Sequence, residues 1–221
     1  MPVLLLAVAL AASPPPGARV VEEIVAVVRN PASAPPRVVT LTKLTEEARI
    51  ALVSRGASAA ATGPLDAEAL RAALDWLLDQ MLLADDAARL RVDDVPRDDV
   101  LAELRRFRAQ LGPPQDYARF LQESDLTEDE LLATLARMVR VQRYVASRVG
   151  RAARVPDDEV DRWLRERGAA TAPGPAREAA RAQLADERTR TQVKELLADL
   201  RSRADIRIVS PPRDGGEGGA R

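Results

Sequence analysis

The sequence predicts a mainly α-helical fold: a multi-helix domain in which a small sheet joins strands from the two ends of the chain. Hydrophobic residues make up 46% of the 221 residues but aromatic residues only 3%. The core must therefore be built from Leu, Val, Ala and Ile, which suits helices better than a β-sandwich. Apolar residues recur at helical spacing through most of the chain, and short β-branched segments lie near its ends.

Three short segments rich in β-branched residues are the predicted strands. The first covers residues 20–28 and the second residues 37–41. The third covers residues 205–209, and Pro211 and Pro212 end it. Three short strands cannot form a core alone. We therefore expect a small sheet that lies beside a helical body and holds the N- and C-terminal segments together.

Helix start and stop signals agree with the apolar spacing in the first half of the chain. A short helix is expected at residues 44–54, ending at Gly56, and a long helix from an Asp66 cap to about Arg89. The long helix carries apolar residues at i, i+4, i+7 and i+11, namely Leu70, Leu74, Leu77 and Met81. Such a stripe marks the face that packs on the core.

Five further helices are expected before the last strand. Pro96 opens the first of them, and Gly112 ends it. The run Thr127-Glu128-Asp129-Glu130 has the pattern of a capping box, which starts a helix. In chain order the five cover residues 96–111, 117–121, 127–149, 156–167 and 176–203.

Composition excludes most familiar catalytic sites in this chain. It has no His and no Cys, which removes His general bases, thiolate nucleophiles, haem and iron–sulfur ligation and the usual zinc sites. The acidic cluster Asp157, Asp158, Glu159 and Asp161 lacks the Gly turn of a calcium loop, so a solvated helix start is the better interpretation. We expect a protein that is not an enzyme and has no catalytic residue, cofactor or metal.

Charge gives no reason to expect a nucleic-acid partner. The 33 basic and 34 acidic residues leave a net charge of −1, so no overall field attracts nucleic acid or an anionic membrane. A series of Arg residues does occur at positions 137, 140, 143, 148, 151 and 154. Because acidic residues open the same helix and these arginines close it, the helix dipole accounts for the arrangement.

Residues 1–13 resemble the apolar part of a secretory signal. They contain about ten apolar residues, end in small-residue steps such as Ala9-Leu10-Ala11, and are too short for a bilayer span of about 20 residues. The sequence thus predicts export, although the usual positively charged leader is missing; the alternative is a frayed N-terminus on a cytosolic protein. At the other end, residues 210–221 have little to bury and are expected to be disordered.

Several motifs follow one another in a characteristic order. A strand Val-Glu-Glu-Ile-Val-Ala-Val-Val precedes the Leu-rich helix, which contains Trp76-Leu77-Leu78-Asp79-Gln80-Met81-Leu82-Leu83. Two similar helix starts follow, Val95-Pro96-Arg97-Asp98-Asp99-Val100 and Val155-Pro156-Asp157-Asp158-Glu159-Val160. The segment Ala204-Asp205-Ile206-Arg207-Ile208-Val209 closes the series. In this order the motifs resemble the N-terminal domain of SurA-type periplasmic chaperones, over residues 20–209.

The chain departs from this family in one large respect. Between the segments 20–167 and 176–209, where family members usually insert a parvulin-type prolyl isomerase domain, it has only the loop 168–175. Parvulin sites also depend on His residues. The resemblance therefore implies a chaperone domain without prolyl isomerase activity.

The resemblance implies a periplasmic, ATP-independent holdase that binds unfolded or extended segments of outer-membrane or other envelope proteins. Family analogy places such segments in a groove between helices. The candidate contact residues are the aromatics Phe107, Tyr117, Phe120 and Tyr144, whereas the two Trp residues are expected to be structural. An alternative stays open, in which the protein is a structural or adapter subunit of an envelope assembly and binds one folded partner. Neither alternative involves nucleic acid or a stable membrane span.

Overall fold

A computed structural model describes residues 22–212, apart from residues 32, 91–94, 151–153, 170 and 172. The three strands of the described part are β1 (Ile24–Asn30), β2 (Ser33–Thr40) and β3 (Asp205–Ile208). Its seven α-helices are α1 (Leu41–Ser54), α2 (Ala67–Arg89), α3 (Arg97–Leu111), α4 (Pro114–Glu123), α5 (Glu128–Val149), α6 (Asp157–Glu166) and α7 (Gly174–Arg203). The predicted fold class, mainly helical with a small sheet, is confirmed. The predicted signal segment, residues 1–13, and residues 213–221 of the predicted tail lie outside the described residues.

The sheet joins the first strands to the last, as predicted. β1 is central and pairs antiparallel with β2 on one side and with β3 on the other. A bulge in β1 opposite β2 places two consecutive residues, Val25 and Ala26, in the core, where both side chains are almost completely buried. The sheet therefore packs one face on the helices while it connects the two ends of the described chain.

The second strand begins earlier than the sequence predicts and ends one residue sooner. It starts at Ser33 and includes Pro35 and Pro36, which the sequence analysis left outside the predicted strand. β2 lies at the edge of the sheet, where a residue without a backbone N–H is tolerated. The strand ends because Thr40 caps α1: its hydroxyl oxygen accepts from the Lys43 backbone N–H at 3.2 Å.

Helix α2 is the centre of the main core. Asp66 caps it as predicted, since its carboxylate accepts from the Ala69 N–H at 2.7 Å. The predicted stripe, Leu70, Leu74, Leu77 and Met81, is buried. It belongs to the main hydrophobic cluster, which also takes in side chains of β1, β2, α5 and the C-terminal end of α7. At the far end of α2, Asp85 accepts hydrogen bonds from Asn30 at 2.8 Å and Arg37 at 2.5 Å, and so links α2 to the sheet.

Two further clusters complete the interior. One joins α1, α3, α4 and α5 around Phe107 and Phe120. Next to it, Thr127 and Glu130 form the predicted capping box of α5. The other cluster joins α6 to the first half of α7. Ion pairs between these two helices, such as Arg177 with Asp161, tie the α6–α7 hairpin together along its length. None of the described helices combines the length and the apolar composition that a bilayer span requires.

Candidate peptide-binding groove

An open groove lies between α2, α5 and the second half of α7. One part of it, a cavity of about 370 Å³, is lined by all three helices. A second cavity of about 530 Å³ continues it along α7, and the two share Asp79, Val193 and Leu197 in their lining. We call the two together the α2–α5–α7 groove. Its apolar lining comprises Trp76, Leu83, Met138, Val139, Val141, Val145, Val193, Leu197 and Ala198.

The sequence of α7 explains why the groove is open. Its first half packs on α6 through Ala180 and Leu184, and then residues 185–192 contain a single apolar residue. The apolar spacing resumes with Val193, Leu196, Leu197 and Leu200, of which only Leu200 is fully buried against the main core. The second half of α7 thus presents more apolar surface than α2 and α5 cover, and that excess lines the groove.

Trp76 lines the groove from α2. Its indole is half-buried, packs against the main core on one side, and has the guanidinium of Arg55 5.5 Å from its ring centroid. Trp76 directly precedes the buried Leu77, so on the helix it lies beside the apolar stripe. A large ring at that position is only partly covered by the core. The sequence predicts a structural role for Trp76. Its position beside the stripe is the feature of the sequence from which a place in a surface cavity could have been predicted.

A salt bridge fixes the end of the groove that lies towards the sheet. Arg201 of α7 donates from Nε to Asp79 of α2 at 2.6 Å and from Nη2 to the Asp75 carbonyl at 3.1 Å. Both partners are partly buried, so the pair is screened less than one on an open surface. This contact sets the distance between the two helices that form the walls.

Beneath the groove, α2 and α5 are joined by a buried hydrogen bond from the Tyr144 hydroxyl to the Asp86 carboxylate. Arg89 also donates to Asp86, from Nε at 2.9 Å and from Nη2 at 2.7 Å. Burial alone would raise the pKa of Asp86, but the hydrogen bonds from Tyr144 and Arg89 outweigh it and the pKa is lowered. Burial, and then the bond to Asp86, raise the pKa of Tyr144 to about 12.

The alkaline stability of the protein should therefore depend on Tyr144. The unfolded chain has the ordinary tyrosine pKa of about 10, so the folded state holds this proton more tightly. The resulting stabilisation is complete below about pH 10 and is lost as pH rises towards 12, by about 3 kcal/mol at most. Urea unfolding of the wild type between pH 9 and 11.5 should show this loss. The variant Tyr144→Phe should be less stable than the wild type by about 1 kcal/mol at pH 8. Its free energy of unfolding should fall less steeply than that of the wild type as the pH rises. Parallel pH profiles for the two proteins would contradict the assignment.

Of the four aromatic residues predicted to contact a peptide, three lie in one cluster and the fourth, Tyr144, lies in another. Phe107, Phe120 and Tyr144 are at most 1% exposed. The first two pack edge to face, with ring centroids 5.2 Å apart, in the cluster of α1, α3, α4 and α5. Tyr144 belongs to the main core. In this conformation these three side chains support the helices from inside, and we do not retain them as contact residues.

Tyr117 is the one member of that group with an accessible ring. It is half-buried on α4, its hydroxyl donates to Glu128 at 3.1 Å, and the Arg108 guanidinium lies 4.3 Å from its ring centroid. It lines neither part of the α2–α5–α7 groove. The sequence prediction thus identified aromatic residues, whereas the groove is lined mainly by aliphatic side chains.

The described residues give no evidence of a metal site. No group of three or more acidic side chains there is arranged to hold a metal ion. Two of the acidic residues that open α6 pair with arginines of α7, Asp157 with Arg181 and Glu159 with Arg188. Comparison of the chain with protein-family models, with curated proteins and with solved structures finds no match.

Proposed function

We propose that the protein is an ATP-independent, chaperone-like holdase that binds unfolded or extended polypeptide segments transiently in the α2–α5–α7 groove. The observation that carries this proposal is the groove itself, in which half-buried Trp76, Val193 and Leu197 stay accessible although the helices around them have a closed core. Partly exposed apolar side chains of this kind can pack against the apolar side chains of a bound segment.

The shape of the groove favours a chain over a compact small molecule. Each part has a volume within the range of about 300–1,000 Å³ that ligand sites occupy. The two parts adjoin at Asp79, Val193 and Leu197 and are open to solvent. A polypeptide segment can lie along such a groove without a specific pocket for each side chain.

The expected affinity is weak and unspecific, which suits a protein that has to release its client without ATP. Apolar contacts contribute about 25 cal/mol for each Å² buried, and the cost of ordering the client offsets much of this gain. We propose envelope proteins as the clients and the periplasm as the location. Both parts of the proposal rest on the signal-like residues 1–13 and on the resemblance to SurA-type chaperones in the order of elements.

We propose no prolyl isomerase activity for this chain. The loop 168–175 stands where the family inserts its isomerase domain, and the sequence has no His for a parvulin site. A tetrapeptide isomerisation assay should give the background rate.

The purified protein should slow the aggregation of an unfolded outer-membrane protein at a stoichiometric ratio, as measured by light scattering. The variant Val193→Ser/Leu197→Ser removes apolar groove surface and should lose most of this effect. Gln192→Ser/Glu195→Ser is the matched control, because it changes two exposed residues of the same helix that do not line the groove. No protection by the wild type, or equal protection by the groove variant, would contradict the proposal. A pull-down with one dominant folded partner would support the adapter alternative instead.

A further inference from the structure

Two cations on the rim of the groove have no partner among the described residues. Arg190 and Lys194 line the same part of the groove as Val193 and Leu197, and both are exposed. No described group forms a hydrogen bond or an ion pair with either of them. Arg201, the remaining cation of this part, is already bonded to Asp79. This end of the groove therefore combines an apolar floor with two free positive charges.

None of the described acidic residues of α7 forms an ion pair with either cation; Asp199, for example, pairs with Arg203. Glu187 accepts from Gln183 at 3.1 Å, and Glu195 accepts from Gln192 at 3.2 Å. Neither carboxylate lines the groove, where Asp79 is the single acidic residue of the α7 part. A ligand in this part of the groove thus meets two positive charges that form no ion pair with a described residue.

The spacing of the two cations matches that of an extended chain. Arg190 and Lys194 are four residues apart on a helix, so they are separated by about 6 Å along its axis. In an extended segment, side chains at i and i+2 point to the same side and are about 6.6–6.8 Å apart. Carboxylates at positions i and i+2 of a bound segment can therefore meet the two cations in turn, while apolar side chains elsewhere in the segment contact the apolar floor.

We propose that the groove prefers extended apolar segments that carry Asp or Glu two positions apart. The apolar side chains contact Val193 and Leu197, and two successive carboxylates pair with Arg190 and Lys194. This inference rests on the proposed function and names the class of segment that the groove selects.

Three peptides test the preference. They are acetylated, amidated and share one set of apolar residues, but carry Glu, Gln or Lys at every second position. Fluorescence anisotropy at low salt should give a dissociation constant for the Glu peptide about fivefold lower than for the Gln peptide, and weaker binding still for the Lys peptide. At high salt the difference between the Glu and Gln peptides should largely disappear.

The variant Arg190→Gln/Lys194→Gln should bind the Glu and Gln peptides with equal affinity. Arg71→Gln/Arg105→Gln is the control of equal charge, since it removes two exposed cations that do not line the groove, and it should keep the preference. Equal binding of the Glu and Gln peptides by the wild type overturns this inference and leaves the proposed function standing. A preference that persists in the groove variant overturns the assignment to Arg190 and Lys194. Failure of all three peptides to bind overturns the inference and the proposed function together.

Discussion

Replacing Phe107 with Ala is expected to lower the free energy of unfolding by about 3–5 kcal/mol. Phe107 is completely buried and packs edge to face on Phe120. Its cluster joins four helices, and the surrounding side chains come from different elements and cannot close the space together. The loss of ring contacts and the cavity left behind both contribute to this cost.

Urea unfolding followed by circular dichroism measures this cost, and Phe107→Leu is the conservative control. The Leu variant keeps most of the buried volume and should fold. If Phe107 acts only inside the core, this variant binds the Gln peptide with wild-type affinity. A cost below about 1 kcal/mol for the Ala variant would contradict the burial of the ring. A folded Leu variant with reduced peptide affinity would restore Phe107 as a contact residue.

Replacing Arg137 with Met is expected to destabilise the protein by about 3 kcal/mol. Both carboxylate oxygens of Glu47 on α1 accept from Arg137 of α5 at 2.5 Å, and Glu47 is only 2% exposed. Without Arg137, this carboxylate stays buried with weaker partners, the Thr134 hydroxyl at 3.5 Å and the Lys43 ammonium at 3.4 Å. A buried charge that loses its partner costs more than the pair contributed.

A second variant tests whether the cost of Arg137→Met comes from the carboxylate of Glu47 that is left without its partner. Glu47→Leu/Arg137→Met removes both charges and fills the space with apolar atoms. It should be more stable than Arg137→Met alone, because no uncompensated carboxylate remains. Denaturant unfolding of the two variants at pH 7 measures the difference. A double variant that is less stable than the single one would show that Thr134 and Lys43 compensate the Glu47 carboxylate without Arg137, and would contradict this prediction.

Local signals explain why the helices were predictable. Asp66 and the Thr127 capping box act on backbone groups within three residues, so the starts of α2 and α5 are encoded where they occur. The small sheet was also predictable, since its strands are the β-branched segments near the ends of the described chain. The start of β2 was not, because its prolines are compatible with a strand only at a sheet edge, and edge position is a property of the folded protein.

The candidate site was harder to predict than the fold. Because the chain has few aromatic residues, Phe107 was predicted to contact a peptide. Its spacing from Leu104 and Leu111, however, already indicates that it lies on the core-facing stripe of α3. The burial of Tyr144 depends on Asp86, which is 58 residues away in sequence. The groove itself arises where α7 crosses two other helices. Two local features of the sequence pointed to it: the position of Trp76 beside the apolar stripe of α2, and the return of apolar residues at Val193 after a polar stretch.

The fluorescence of Trp76 tests most directly whether polypeptide segments bind in the α2–α5–α7 groove. The chain has two Trp residues, and Trp163 lies in the separate cluster of α6 and α7, so Trp163→Phe leaves Trp76 as the single reporter. Titration with the Gln peptide should shift the Trp76 emission to shorter wavelength, with the same dissociation constant as the anisotropy measurement. Peptide binding that leaves the emission of Trp76 unchanged would place the binding surface elsewhere and contradict the proposal.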